Sequence, residues 1–128
     1  MKQVVLCVDD EAVILLALKL KLKKALGNSC LVESAYNGKQ ALEILRELSD
    51  SDSEVKLVIT DWLMPGMRGD ELLRIIKKDF PSVRGIMITG QADRDSIEAV
   101  IREGLVEGVF GKPWSEKQLL NAVRKCLE

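Results

Sequence analysis

Val4-Val5-Leu6-Cys7-Val8-Asp9-Asp10-Glu11 sets five apolar residues in a row against three carboxylates. An unbroken apolar run suits a strand covered on both faces, as in a parallel sheet flanked by helices. Its abrupt end in acid marks the carboxyl edge of that strand, and open parallel sheets bind their ligands beyond that edge. Outward from this stretch, short β-branched runs alternate with longer helix-forming ones, the pattern of βα units. Strands are expected at Val4–Val8, Leu31–Ser34, Leu57–Thr60, Gly85–Thr89 and Val106–Gly111. Helices are expected at Ala12–Leu26, Lys39–Glu47, Glu71–Lys78, Arg94–Glu103 and Glu116–Leu127. Gly27 stops the first helix, Pro81 follows the third, and Ser115-Glu116-Lys117-Gln118 reads as a capping box opening the last. Leu18 to Lys23 alternates like a strand, yet Leu and Lys are helix formers and nothing there is β-branched, so it is read as helix. The polar stretch Ser49 to Glu54 is read as a solvated connector rather than a calcium loop.

The 128 residues, 47% of them hydrophobic, suit one α/β domain spanning 1–128, with a doubly wound five-stranded parallel sheet. Nineteen basic and twenty acidic side chains leave a net charge of -1, too little to draw the chain onto nucleic acid or a membrane. The start lacks the long apolar region of a secretory signal, Met1 fits a natural N-terminus, and a cytoplasmic location follows. Cys7, Cys30 and Cys126 lie in apolar stretches without a Cys-x-x-Cys pair, and read as buried thiols. Because the chain contains no His, any phosphohistidine involved in its chemistry must belong to a partner.

Polar residues at the strand ends are the candidates for function: Asp9, Asp10 and Glu11 after the first, Asp61 after the third, Thr89 at the fourth, Lys112 and Pro113 after the fifth. In the strand order 2-1-3-4-5, Asp9 and Asp10 face Asp61 across the crevice where the order reverses. Three crowded carboxylates repel one another, and a hard cation relieves that repulsion; magnesium fits best, with manganese as an alternative. Thr89 can then donate to a phosphoryl oxygen while the Lys112 ammonium neutralises another, which leaves Asp61 as the nucleophile. Each residue alone has an ordinary structural explanation: an Asp pair caps a helix, a Lys-Pro opens a loop, a Thr ends a strand. Their arrival at successive strand ends in this order is what points to phosphoryl chemistry.

Val8-Asp9-Asp10-Glu11, Ile59-Thr60-Asp61-Trp62-Leu63-Met64-Pro65-Gly66-Met67 with Gly69, Ile88-Thr89-Gly90 and Gly111-Lys112-Pro113-Trp114 together resemble the receiver domain of two-component response regulators, over essentially the whole chain. The resemblance implies the flavodoxin-like, CheY-like (βα)5 fold. It also implies that Asp61 takes a phosphoryl group from a phosphohistidine on a sensor histidine kinase or histidine phosphotransfer protein and so switches a surface for a downstream protein target. By the same resemblance Asp10, Asp61 and the carbonyl of Leu63 bind magnesium, Asp9 stands in the outer shell, Thr89 and Lys112 contact the phosphate, and Lys112-Pro113 is a cis peptide. Leu63 and Gln91 border the reactive atoms; Leu63 cannot orient an attacking water, whereas Gln91 can.

One departure concerns the switch, to which Thr89, Val109 and Phe110 are assigned. Receivers of this kind usually carry Tyr or Phe three residues before the strand-five Lys, and here that position is Val109, with Phe110 one residue later. A one-residue shift reverses the face, so either a bulge restores Phe110 or the aromatic half of the switch is missing; plain core is the preferred reading of Phe110. On the first helix Leu16 and Leu20 fall outside the apolar arc, and with Pro113 they are assigned as partner contacts. A homodimer through the fourth helix, fifth strand and fifth helix is common in the family. The rival readings are a receiver-like docking module without phosphorylation, a haloacid-dehalogenase-like phosphatase and a flavodoxin-like mononucleotide binder. The phosphatase requires Asp-x-Asp after the first strand, and the mononucleotide binder a phosphate-cradling loop that Asp9-Asp10-Glu11 would repel.

Overall fold

The computed structural model describes residues 2–90 and 92–128, so Met1 and Gln91, with the readings attached to them, lie outside the described residues. Five strands, β1 (Lys2–Val8), β2 (Cys30–Ala35), β3 (Ser53–Asp61), β4 (Arg84–Thr89) and β5 (Gly108–Gly111), alternate with five helices, α1 (Ala12–Leu26), α2 (Gly38–Ser49), α3 (Gly69–Asp79), α4 (Arg94–Arg102) and α5 (Glu116–Leu127). All strand pairs are parallel, in the order β2-β1-β3-β4-β5. This is the doubly wound, CheY-like arrangement expected from the sequence.

Alternate side chains of the buried strands feed two apolar layers. Val4, Leu6, Val8, Val58 and Met87 meet Leu42 and Leu45 of α2, Leu72, Leu73 and Ile76 of α3, and Val100 of α4. Val5, Cys7, Leu57, Ile59, Ile86 and Ile88 meet Leu15, Leu18 and Leu22 of α1, and Leu119, Val123 and Cys126 of α5. All three thiols are therefore buried, and desolvation pushes the Cys7 thiol up to about 12.

All five strands differ in extent from expectation, β1 starting two residues early at Lys2 and β4 one early at Arg84. β3 begins at Ser53, so Ser53 and Glu54 are strand rather than connector; they pair with Lys2 and Gln3 of β1, and long-range pairing overrides their polar character. Next to that pairing, the register shifts between Val4 and Val5, which places Lys56 as an extra residue and sends Val55 and Leu57 into opposite layers. β2 gains one residue at each end, and β5 starts only at Gly108, because Val106 packs on the core as part of the turn that hydrogen-bonds Glu107 N–H to the Gly85 carbonyl at 2.7 Å. α1 and α5 span the expected residues, and Asn37, Asp93 and Ser115 cap α2, α4 and α5 by accepting backbone N–H bonds. Among the described residues no helix is long and apolar enough to cross a membrane.

Candidate functional site

The carboxyl ends of β1, β3, β4 and β5 converge on a cavity of about 450 Å³ lined by Asp10, Glu11, Asp61, Leu63, Met64, Pro65, Gly90 and Lys112. Asp61, the last residue of β3, is buried to 6% exposure, and its Oδ2 accepts a hydrogen bond from Lys112 Nζ at 2.9 Å. The same ammonium donates to Asp9 Oδ2 at 3.0 Å and lies 3.7 Å from Glu11 Oε1. Burial works against the Lys112 charge, but the bonds to Asp61 and Asp9 outweigh it and raise its pKa above the ordinary 10.5. The Lys112-Pro113 bond is cis, as expected from the sequence.

One oxygen each from Asp9, Glu11 and Asp61 falls within 4.8 Å of the others. Glu11 belongs to this group although no role had been assigned to it from the sequence. It stands at the N-cap of α1 without capping the helix through its side chain, while its own N–H donates to Asp9 Oδ1 at 2.9 Å. Asp10, expected among the metal ligands, is exposed and outside this group, although it lines the same cavity. Asp9 directly follows the buried strand β1 and is itself buried, whereas Asp10, one residue on, is exposed where it lines the cavity.

Thr89 is 5% exposed at the end of β4, and its Oγ1 accepts the Ala92 N–H at 3.1 Å, so the hydroxyl engages the turn that leads into α4. Leu63 borders the cavity and is itself exposed. The loop that carries it is pinned by Gly69, whose N–H donates to the Trp62 carbonyl at 2.7 Å.

The pattern that defines the response regulator receiver domain matches residues 5–124. The chain belongs to the response regulator receiver family. This receiver is 32% identical over 126 residues to the chemotaxis protein CheY of Pseudomonas aeruginosa, covering 97% of this chain and 95% of CheY. It is 38% identical over 100 residues to sensor kinase CckA of Brucella abortus, covering 76% of this chain but only 10% of CckA. Among solved structures, the signal receiver domain of an HD domain-containing protein from Pseudomonas fluorescens Pf-5 superposes with a TM-score of 0.86 at 33% identity, over 99% of this chain and 95% of that one. The acidic pocket of Asp9, Glu11 and Asp61 fits the phosphoacceptor site of this family.

Elsewhere the receiver shows where its remaining candidates lie. β5 pairs with β4 in unbroken register from Gly108 to Gly111, so no bulge turns Phe110 around. Val109 packs on the layer of Met87, Val100 and Leu105, and Phe110 on the opposite layer. A β-carbon at Gly108 would lie 3.0 Å from the Phe110 ring, which therefore folds back over the glycine. Leu16 and Leu20 are 58% and 57% exposed, and Val13, not singled out from the sequence, is 81% exposed on the same face of α1. Pro113 is also exposed.

Proposed function

We propose that Asp61 accepts a phosphoryl group from a phosphohistidine of a sensor kinase or phosphotransfer protein, and that the aspartyl phosphate controls binding of a downstream protein. The observation that carries this reading is the buried Asp61 carboxylate, 2.9 Å from the Lys112 ammonium at the floor of an open cavity. A carboxylate so placed is shielded from water yet open to a phosphorus atom along one approach. In the transfer an Asp61 oxygen forms a bond to phosphorus, the phosphorus–nitrogen bond of the donor breaks, and its electron pair leaves with the imidazole. Lys112 neutralises charge on the transferred group, and Thr89 supplies a hydroxyl donor once it leaves the Ala92 N–H. The domain, proposed to span 1–128, acts as a cytoplasmic signalling module rather than as a turnover enzyme.

A divalent cation fits this site: three clustered carboxylate oxygens share one ammonium, a hard, oxygen-rich set with excess negative charge. Asp61, Asp10 and the Leu63 carbonyl would hold magnesium, or manganese, with Asp9 outside them and Glu11 alongside. When bound, the cation supplies charge neutralisation for the phosphoryl oxygens. Val13, Leu16 and Leu20, exposed along α1, and Pro113, exposed next to Lys112, form the surface for the phosphodonor protein. Self-association would use α4, β5 and α5.

The test is intact mass after incubation with acetyl phosphate. Wild type should gain one phosphoryl group in magnesium and none in chelator, and Asp61→Asn should gain none. A wild type that neither gains mass nor binds beryllofluoride leaves a docking module in place of a phosphoacceptor.

A further inference from the structure

Met64, Met67 and Met87 lie among the described residues and present their sulfurs differently. Met87 is fully buried within β4, and Met64, 4% exposed, turns its sulfur inward, where the Thr60 hydroxyl donates to it at 3.9 Å. Met67 is half-buried against the layer formed with α2 and α3. Its side chain rests on the first residue of α2: a β-carbon added to Gly38 would stand 2.6 Å from the sulfur and 3.1 Å from the Met67 β-carbon. Beside this contact opens a second cavity of about 450 Å³, lined by Met67 itself, by Gly38 and Lys39 at the start of α2, and by Pro65 and Glu71. Met67 belongs to a tight turn in which its N–H donates to the Pro65 carbonyl at 3.1 Å and Gly66 adopts φ 83°. Leu63, Met64 and Pro65 line the functional cavity, and Pro65 lines both, so a change at Met67 reaches the functional cavity through two residues of chain.

We propose that Met67 is a site of reversible oxidation by peroxide, and that its sulfoxide slows phosphoryl uptake at Asp61. The effect on uptake rests on the phosphoacceptor reading of Asp61; the oxidation site does not. In the reaction a lone pair of the thioether sulfur attacks one peroxide oxygen, the oxygen–oxygen bond breaks, and the other oxygen leaves as water after proton transfer. The sulfur loses two electrons and the peroxide gains them. The cavity beside Met67 gives this small oxidant an approach that the inward-turned sulfur of Met64 and the core sulfur of Met87 lack. The product carries a polar oxygen in a place shaped for an apolar thioether. Against Gly38 there is no room even for a methyl group, so the oxygen must turn to the cavity, where Lys39 and the first N–H groups of α2 offer donors. That turn draws Met67 off the apolar layer and pulls Pro65, with Leu63 and Met64, out of the arrangement in which they line the functional cavity.

The test treats wild type and Met67→Leu with graded hydrogen peroxide, reads the oxidised positions by peptide mass mapping, and times phosphoryl uptake from acetyl phosphate in magnesium by intact mass. In wild type Met67 should be oxidised about tenfold or more faster than Met64 and Met87, and uptake should slow about fivefold or more in step with that sulfoxide. Methionine sulfoxide reductases, one for each sulfoxide epimer, should reverse both changes. Met67→Leu, close to methionine in volume, should take up phosphate at the rate of untreated wild type and keep that rate in peroxide. Oxidation of Met67 no faster than that of Met64 overturns the site. Oxidised Met67 with unchanged uptake, or an equal loss of rate in Met67→Leu, overturns the control of uptake. A reduced wild type that takes up no phosphoryl group defeats the phosphoacceptor reading and the effect on uptake with it, while the peptide map still decides the site.

Discussion

A β-carbon added to Gly69 would stand 2.0 Å from the backbone carbonyl oxygen of Asp61. The first turn of α3 is thus seated directly against the proposed phosphoacceptor, and only a hydrogen fits between them. Gly69→Ala must separate α3 from the end of β3, at a cost of about 1–3 kcal/mol. The loop carrying Leu63 shifts with it, and phosphoryl uptake from acetyl phosphate should slow about tenfold or more. Urea melts and time-resolved intact mass check the two effects; a loss of stability with an unchanged rate would mean that the contact serves folding alone.

Phe110 is predicted to be a packing residue without a part in the response. Phe110→Leu should lower stability by about 1–2 kcal/mol, as the ring over Gly108 is lost from a half-buried place. Chemical denaturation measures the loss, and the phosphorylation rate and the beryllofluoride-induced exchange pattern should match wild type. A variant that binds beryllofluoride but loses the wild-type amide hydrogen exchange response would return the switch role to Phe110.

The exposed stripe on α1 is predicted to matter only to a protein donor. Leu16→Ser with Leu20→Ser should slow transfer from the cognate kinase about tenfold while leaving transfer from acetyl phosphate unchanged, because a small donor needs no docking surface. Parallel rate measurements with both donors decide it, and equal loss of both rates would assign these leucines to folding.

Asp70 gives a pH signature that is separate from the phosphoacceptor. Burial alone would raise its carboxyl, but hydrogen bonds from Arg68 and Arg74 outweigh that and hold it below the ordinary 3.8. A depressed folded-state value contributes stability that is complete above the unfolded value and is lost as pH falls through the folded one. Wild type should therefore exceed Asp70→Asn by roughly 1–3 kcal/mol between about pH 5 and pH 8, with the gap closing below about pH 4. Denaturation series at stepped pH measure the gap, and a gap that stays open in acid would show that the charge of Asp70 is not its source.

Where local chemistry dictates structure, the sequence was enough. α1 and α5 carry their own limits, Gly27 behind the first and the Ser115 cap before the last, and both have the expected ends. Asp9, Asp61, Thr89 and Lys112 were legible because a polar residue directly after an apolar strand can only lie at the sheet's carboxyl edge. Ser53 and Glu54 were not, since their strand conformation comes from pairing with Lys2 and Gln3 rather than from their own preferences. Glu11 was visible as an acid but not as a neighbour of Asp61, because that depends on the angle at which α1 leaves the strand. The bond between Arg74 and Glu103 joins residues 29 apart, and no pattern along the chain announces it.

The burial of all three thiols has a practical side. With Cys7, Cys30 and Cys126 buried and desolvation raising each thiol's pKa, maleimide reagents should react slowly with the native protein. A single cysteine introduced on the outer face of α4 would then carry a dye without removal of any natural residue. The natural thiols then compete little for the label, and the environment of that helix can be followed in real time.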